Sequence, residues 1–527
     1  MRVRPAFSRL ARALCQGSIA MLASVTLHAT EPGDASWRDF QHALGQPALI
    51  AANAEHALAN TAYRPLPTMD VAQIDADKFR LGFFLFHEGR LSSDDAIACV
   101  TCHAGPNSGV DGRRVSLGVN HAEGRMNALS VLNATFHFRL FWDGRSVSLE
   151  DQALEPILSE LEMVNSEDAV LRMLQDDTLY AERFAAVYPD GVTLKNMTDA
   201  MAHFQRFNFI RGNSPFQRHL SGEAGQMSAQ ALRGWQLFDD IGCSSCHNGI
   251  SMGGNSYQKL GAAVPYYGAG READLHDEGV RGRSQREQDL HVFKVPGLLN
   301  VANTAPYFHD GSVARLDVAI AIMAEQQLGR TLAEEDIRDI AMFLRALSSS
   351  YMPMPVEISA AEPASTPAQA HSAVAVSHRS SYAAAGAAIL PVSEALFREA
   401  QRVLSGEVAH FDFLQFQHLE LIRYARALHH PPSEMDKSLR QRLVSSAEQL
   451  LQAVNALEWP IADFLRAQAM SRVFSAQREF PLNGEARELL KDSSGRLAEQ
   501  EHAARQALQD IELLLREIER LVPALDA

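Results

Sequence analysis

The chain is short of basic residues, of long apolar runs and of cysteine, and each shortage excludes something. Its 48 lysines and arginines stand against 64 aspartates and glutamates, a formal net charge of -16. So acidic a chain is poorly suited to a phosphate backbone, and no nucleic acid is expected as a partner. One stretch raises the question of a membrane, Cys15 to Leu27, and it falls below the roughly 20 apolar residues that a spanning helix needs. It is interrupted by Gln16 and two serines, preceded by Arg2, Arg4, Arg9 and Arg12, and followed by His28-Ala29. Residues 1–29 are therefore expected to be a secretory signal peptide whose removal leaves an acidic exported protein. What remains has ordinary globular composition, with 46% hydrophobic and 21% charged residues over 527 positions, enough for about three domains.

Of five cysteines, Cys15 lies in the expected signal peptide, leaving Cys99, Cys102, Cys243 and Cys246. In an oxidising compartment these could close two disulfides, but their arrangement points elsewhere. Each pair encloses two residues and is followed at once by histidine: Cys99-Val-Thr-Cys102-His103 and Cys243-Ser-Ser-Cys246-His247. C-x-x-C-H is the attachment signature of haem c, in which two thiols bond the porphyrin and the adjacent imidazole reaches the iron. A thioredoxin-like site needs a single pair, and a zinc site needs histidines at another spacing. Two covalently bound haem c groups are expected, and with them a periplasmic location.

The two motifs lie too far apart for one small cytochrome. The expected fold is mostly α: two tandem cytochrome c-like haem domains, residues 30–210 and 211–352, each with recurring helical periodicity and no run of alternating strands. Asp75 to Phe86 spaces Phe79, Phe83 and Phe86 as a helix facing a haem would, and Ala229 to Asp239 does the same with Leu232, Trp235 and Leu237.

The stretch Leu81 to His103, LGFFLFHEGRLSSDDAIACVTCH, is followed in order by Phe141-Trp142-Asp143-Gly144-Arg145, Leu149-Glu150-Asp151-Gln152 and Glu162-Met163. Phe293-Lys294-Val295-Pro296 and Ala305-Pro306-Tyr307-Phe308-His309-Asp310-Gly311 come next. This ordered set, from about residue 70 to 350, resembles the bacterial dihaem cytochrome c peroxidases and the related MauG enzymes.

The resemblance implies a division between the two irons. Met323 matches the axial ligand opposite His247 on the electron-transfer haem, where a thioether raises the reduction potential; judged alone, it would be core filler. MauG has tyrosine at that position, so methionine favours the peroxidase branch. The first haem, with His103 proximal, becomes the peroxide site. Cleaving the O–O bond needs a group that carries a proton from the near oxygen to the far one, and Glu162 matches the family's distal glutamate. Without the resemblance Glu162 would read as a solvated acid beside Glu160.

Family peroxidases often carry a distal histidine on the loop after the first motif. Gap-free counting between Gly118 and Asn127 puts Val119 there, with His121 the nearby imidazole. Either the loop shifts so that His121 ligates, or the iron keeps a free face, which is the expectation adopted. Trp142 matches the tryptophan between the haems, an oxidisable relay as well as packing. Asn127, with the backbone carbonyls of Thr304 and Pro306, matches an interdomain calcium site; oxygen ligands suit that cation, although an asparagine in such a loop is otherwise a turn residue.

After residue 352 the resemblance ends. Residues 353–391, rich in Ala, Pro and Ser, read as a linker. In 392–527 apolar residues recur at helical spacing: Phe411, Leu414, Leu421, Ala425 and Leu428, then Leu439, Leu443, Leu450 and Leu457, then a long last segment with Leu489, Leu490, Leu508, Ile511, Leu515, Ile518 and Val522. Pro431-Pro432 and Pro460 are taken to separate segments, and four amphipathic helices suggest a C-terminal bundle. It carries no recognisable chemistry and could dock a partner, cover the haem domains or hold a homodimer together.

The resulting expectation is a dihaem c-type peroxidase that reduces hydrogen peroxide to water with electrons from a small soluble donor, such as a monohaem cytochrome c or a cupredoxin, steered by the acidic surface. Two rivals are a MauG-like enzyme oxidising aromatic residues of a partner protein and a non-enzymatic dihaem electron carrier.

Overall fold

The computed structural model describes residues 62–67, 74–104, 108–267, 277–349, 437–478, 480–482 and 484–521, with scattered positions between 396 and 421. The expected signal peptide and linker lie outside the described residues, as do Phe411, Leu414, Ala425, Leu428, the Pro431-Pro432 pair and Val522.

The chain is largely helical. The first half contains α1 (Ala76–Phe86), α2 (Cys99–Cys102), α3 (Leu149–Leu158), α4 (Glu167–Asp176), α5 (Thr178–Val187), α6 (Leu194–Asn208) and α7 (Pro215–Leu220). The second contains α8 (Ala229–Asp240), α9 (Arg281–Ser284), α10 (Leu316–Ile322) and α11 (Glu334–Ala346). C-terminal to these come α12 (Lys437–Ser475), α13 (Gly484–Gly495) and α14 (Leu497–Leu521). Two short strands, β1 (Tyr257–Lys259) and β2 (Val292–Lys294), pair antiparallel.

Local sequence explains where most of these helices begin. The Asp75 side chain accepts from the Lys78 amide at 2.9 Å. Ser148, Ser166, Thr193, Ser214 and Ser228 cap α3, α4, α6, α7 and α8 in the same way. Each cap satisfies an amide that the first helical turn would otherwise leave unpaired.

In the first half α1 packs on α6. Phe79, Phe86, Leu132, Phe136, Phe204, Phe207 and Phe209 form a cluster against which Cys99 and Val100 pack. In the second, α8 packs on α11, and Phe238, Phe343 and Leu344 share a core with Cys246. Leu232 was expected to face inward but is 38% exposed. The buried face of α8 is instead Ala231, Gly234 and Phe238, because Gly234 lies so close to the Asp339 carbonyl that only a residue without Cβ fits.

The C-terminal helices correct two further expectations. Pro460 does not end a helix: α12 runs through it. An interior proline costs about 3 kcal/mol. Leu450, Val454 and Leu457 before it, and Ile461, Phe464 and Leu465 after it, are all buried in one cluster with α14. At roughly 1.5–3 kcal/mol per buried side chain, that burial outweighs the break. The final segment is two helices rather than one, and Leu489 is 42% exposed while Leu490 is buried. Farther along α12, Ala469, Met470 and Val473 join the second-half core beside Cys246. Among the described residues no helix is long and apolar enough to cross a membrane.

Candidate functional site

Both C-x-x-C-H segments fold as a single turn. The His103 amide donates to the Cys99 carbonyl at 3.0 Å, and the His247 amide to the Cys243 carbonyl at 3.0 Å. A turn of this kind gathers residues i, i+3 and i+4 on one face, so two sulfurs and an imidazole converge at each motif. His103 Nδ1 lies 3.0 Å from the Gly109 carbonyl and His247 Nδ1 lies 3.3 Å from the Met252 carbonyl. With Nδ1–H donated to a carbonyl, Nε2 keeps the lone pair that a metal needs. Burial pushes His103 below the ordinary histidine range and His247 down to about 4, so both rings stay neutral. Burial also raises Cys99 to about 12 and Cys246 to about 11. All four cysteines are free of disulfides.

Glu162 stands near the first motif, where its charge acts on both Cys99 and Cys102. Burial raises its pKa, while Arg145 and a hydrogen bond from Ser159 pull it back. Arg145 also pairs with Glu155, and with Asp143 at 3.1 Å. The loop carrying Val119 closes as a tight turn, the Gly118 amide donating to the Ala122 carbonyl at 2.9 Å and the Val119 amide to the Glu162 carbonyl at 2.8 Å. A Cβ on Gly118 would meet the Leu161 and Glu162 carbonyl oxygens at 2.1 and 2.5 Å. Val119 is thus buried on the acid's backbone, and His121 is exposed.

Trp142 joins the two halves. Its indole N–H donates to the Asn127 carbonyl at 2.9 Å, its own carbonyl accepts from the Lys294 amide at 2.7 Å, and its ring lies edge-on to His309 at 6.2 Å. The Asn127 amide donates to the His309 carbonyl at 2.7 Å, and its side chain donates to the carbonyls of Arg113 and Arg114. Segment 304–311 therefore meets the loop that carries Asn127. Met323 opens a π-helical turn, Met323–Gln327, that continues α10. It is half-buried against a cluster containing Tyr266, Tyr307 and Phe308; such turns frequently mark functional positions.

Residues 76–225 match the family model described as di-haem cytochrome c peroxidase. The chain is 36% identical over 283 residues to cytochrome c551 peroxidase of Nitrosomonas europaea, covering 54% of this chain and 83% of that protein. The chain belongs to the dihaem cytochrome c peroxidase family. Cytochrome c peroxidase Ccp of Escherichia coli is 42% identical over 296 residues, covering 56% of this chain and 62% of that protein, so the match spans less than two thirds of that relative. The methylamine utilization protein MauG of Methylophilus methylotrophus is 30% identical over 266 residues, covering 50% of this chain and 76% of that protein.

The residues present fit the haem c groups of this peroxidase family. Each motif offers two free thiols and a neutral imidazole on one face. Lys294 is 1% exposed, its Nζ has no hydrogen-bond partner among the described residues, and desolvation lowers its pKa to about 8. A buried ammonium without an anion is costly, and a haem propionate is the kind of group that would neutralise it. Reading the sequence assigned no role to Lys294, Arg145 or His309, although all three lie in the segments that carry the family likeness; their chemistry becomes visible only from what surrounds them.

Proposed function

We propose that this chain is a dihaem peroxidase that reduces hydrogen peroxide to water, with the peroxide site at His103 and the electron-transfer site at His247 and Met323. The observation that carries this reading is Glu162, a partly shielded carboxyl with a raised pKa, tied by its backbone to the loop beside the first motif.

Haem c supplies, when bound, an iron that takes peroxide at one site and passes electrons at the other. The chain's own residues do the rest. The His103 and His247 imidazoles would hold the irons, and Cys99, Cys102, Cys243 and Cys246 would anchor the porphyrins. Glu162 takes a proton from the near peroxide oxygen and returns it to the far one as water leaves. The buried Val119 and the exposed His121 support a first site whose iron would keep a free face. Trp142, bonded to both halves, relays oxidising equivalents between the sites. Separate cores around Cys99 and Cys246 support two tandem haem domains, and the packing of α12 on α14 and α13 supports a C-terminal bundle. The meeting of Asn127 with segment 304–311 supports a calcium ion held by Asn127 and the carbonyls of Thr304 and Pro306. The attachment motifs imply periplasmic maturation, and the acidic surface favours a basic donor such as a monohaem cytochrome c or a cupredoxin.

Steady-state peroxide reduction by reduced cytochrome c tests the reading. Glu162→Gln is expected to remove most turnover while both haem spectra stay intact. Normal turnover by that variant would refute the proton-shuttle role.

A further inference from the structure

Tyr267 and Asp277 lie in none of the short motifs quoted for the family likeness, yet the fold brings both onto His309. The ring of Tyr267 lies 6.3 Å from that of His309 at an interplanar angle of 69°, and Trp142 approaches the same imidazole at 6.2 Å and 74°. His309 is itself 3% exposed and stacked on Phe293 at 4.3 Å. The Tyr267 hydroxyl donates to Asp277 Oδ2 and stands 2.9 Å from His309 Nε2, which is 2.7 Å from the same carboxylate oxygen. Asp277 Oδ1 is buried with no hydrogen-bond partner among the described residues.

We propose that Tyr267 is a proton-coupled redox station: it gives one electron to oxidised Trp142 while its hydroxyl proton passes to Asp277. The inference rests on the relay role given to Trp142 above. An indole radical cation, a phenol and a carboxylate become a neutral indole, a phenoxyl radical and a carboxylic acid. One electron and one proton move and no atom is gained or lost. The oxidising equivalent comes from peroxide.

Three features favour the step. A phenol that loses an electron becomes a strong acid, so it is oxidised readily only with a base already in place, and Asp277 is that base. Burial and the Asp277 hydrogen bond hold the phenol above its ordinary pKa, so the hydroxyl keeps its proton until the electron leaves. The transfer also removes a positive charge from Trp142 and a negative one from Asp277, which a low-dielectric interior favours. Tyr267 meets Tyr266 edge-on at 5.2 Å, and both lie in the cluster that includes Met323. The station thus stands where an electron coming from the Met323 side would refill it.

The test is rapid-freeze electron paramagnetic resonance on the holoenzyme mixed with hydrogen peroxide and no electron donor. The expected result is a tyrosyl radical whose hyperfine pattern narrows when the protein carries ring-deuterated tyrosine. That signal should be lost in Tyr267→Phe and weakened in Asp277→Asn, with both variants keeping the haem absorption of the parent. A wild-type radical indifferent to tyrosine deuteration, or one unchanged in Tyr267→Phe, overturns the inference while peroxide turnover still supports the peroxidase reading. Failure of the wild type to consume peroxide overturns both. The isotope arm needs no substitution, so a variant that loads haem poorly does not block the decision.

Discussion

The Val119 amide donates to the Glu162 carbonyl at 2.8 Å, so the residue that the family resemblance aligns with the distal ligand and the acid proposed to move the proton share one backbone anchor. A buried valine cannot bind iron, and His121 is exposed. Val119→His should therefore introduce a ligand: the first haem is expected to change from a high-spin to a low-spin ferric signal, with turnover suppressed until reduction. His121→Ala should leave the resting spectrum unchanged. A low-spin first haem in the parent that becomes high-spin in His121→Ala would reverse the assignment.

If Glu162 moves the peroxide proton, as proposed, it sets the pH dependence of turnover. Burial raises its pKa above the ordinary carboxylate value, and Arg145 is the largest opposing influence. Only the ionised form accepts the peroxide proton, so kcat/KM should rise with pH through the folded-state pKa. Arg145→Gln removes a positive charge that favours the carboxylate, raises that pKa further, and should move the acid limb of the profile to higher pH. A limb that stays put, or moves to lower pH, would show that another group controls it.

The turn that gathers Cys99, Cys102 and His103 was legible because the C-x-x-C-H spacing puts all three within one helical turn. The α1 and α8 boundaries were legible from apolar periodicity alone, and the structure adds their caps, Asp75 and Ser228. The face of α8 was not, because Gly234 turns inward through its close approach to Asp339, a contact with no local signal. Pro460 misled for the same reason: the local penalty is visible in sequence, while the burial on both sides of it is a property of the assembled helices. The Tyr267, Asp277 and His309 cluster joins residues whose proximity only the fold creates.

Met323 offers a measurement independent of turnover. If its thioether is the sixth ligand of the second haem, Met323→Leu should lower that haem's reduction potential in a spectroelectrochemical titration, since thioether ligation raises it. The first haem's potential should move far less. An unchanged second potential would return Met323 to a packing role in its aromatic cluster.

The C-terminal helices should be part of the enzyme's stability, because Glu458 on α12 is 5% exposed and accepts from Arg139 at 2.6 Å, Arg283 at 2.9 Å and the Tyr257 hydroxyl at 3.0 Å. Tyr257 in turn presses on the Phe-Trp-Asp-Gly-Arg turn: a Cβ on Gly144 would meet its hydroxyl oxygen at 2.2 Å. Removing one partner of a buried ion pair strands the other, at about 3–5 kcal/mol, so Glu458→Ala should lower the thermal midpoint of the holoenzyme markedly and loosen the support of Trp142. Arg139 is also buried, whereas Arg283 is 23% exposed at its side chain and can reach water. The double variant Arg139→Met, Glu458→Met should therefore regain much of the loss, since replacing both buried ions with apolar side chains of similar size is often neutral or stabilising. Calorimetry on the three proteins decides it: an unchanged midpoint in Glu458→Ala would mean that α12 is held by its apolar face alone, and a double variant that loses as much as the single one would mean that a stranded Arg139 charge is not the cause of the loss.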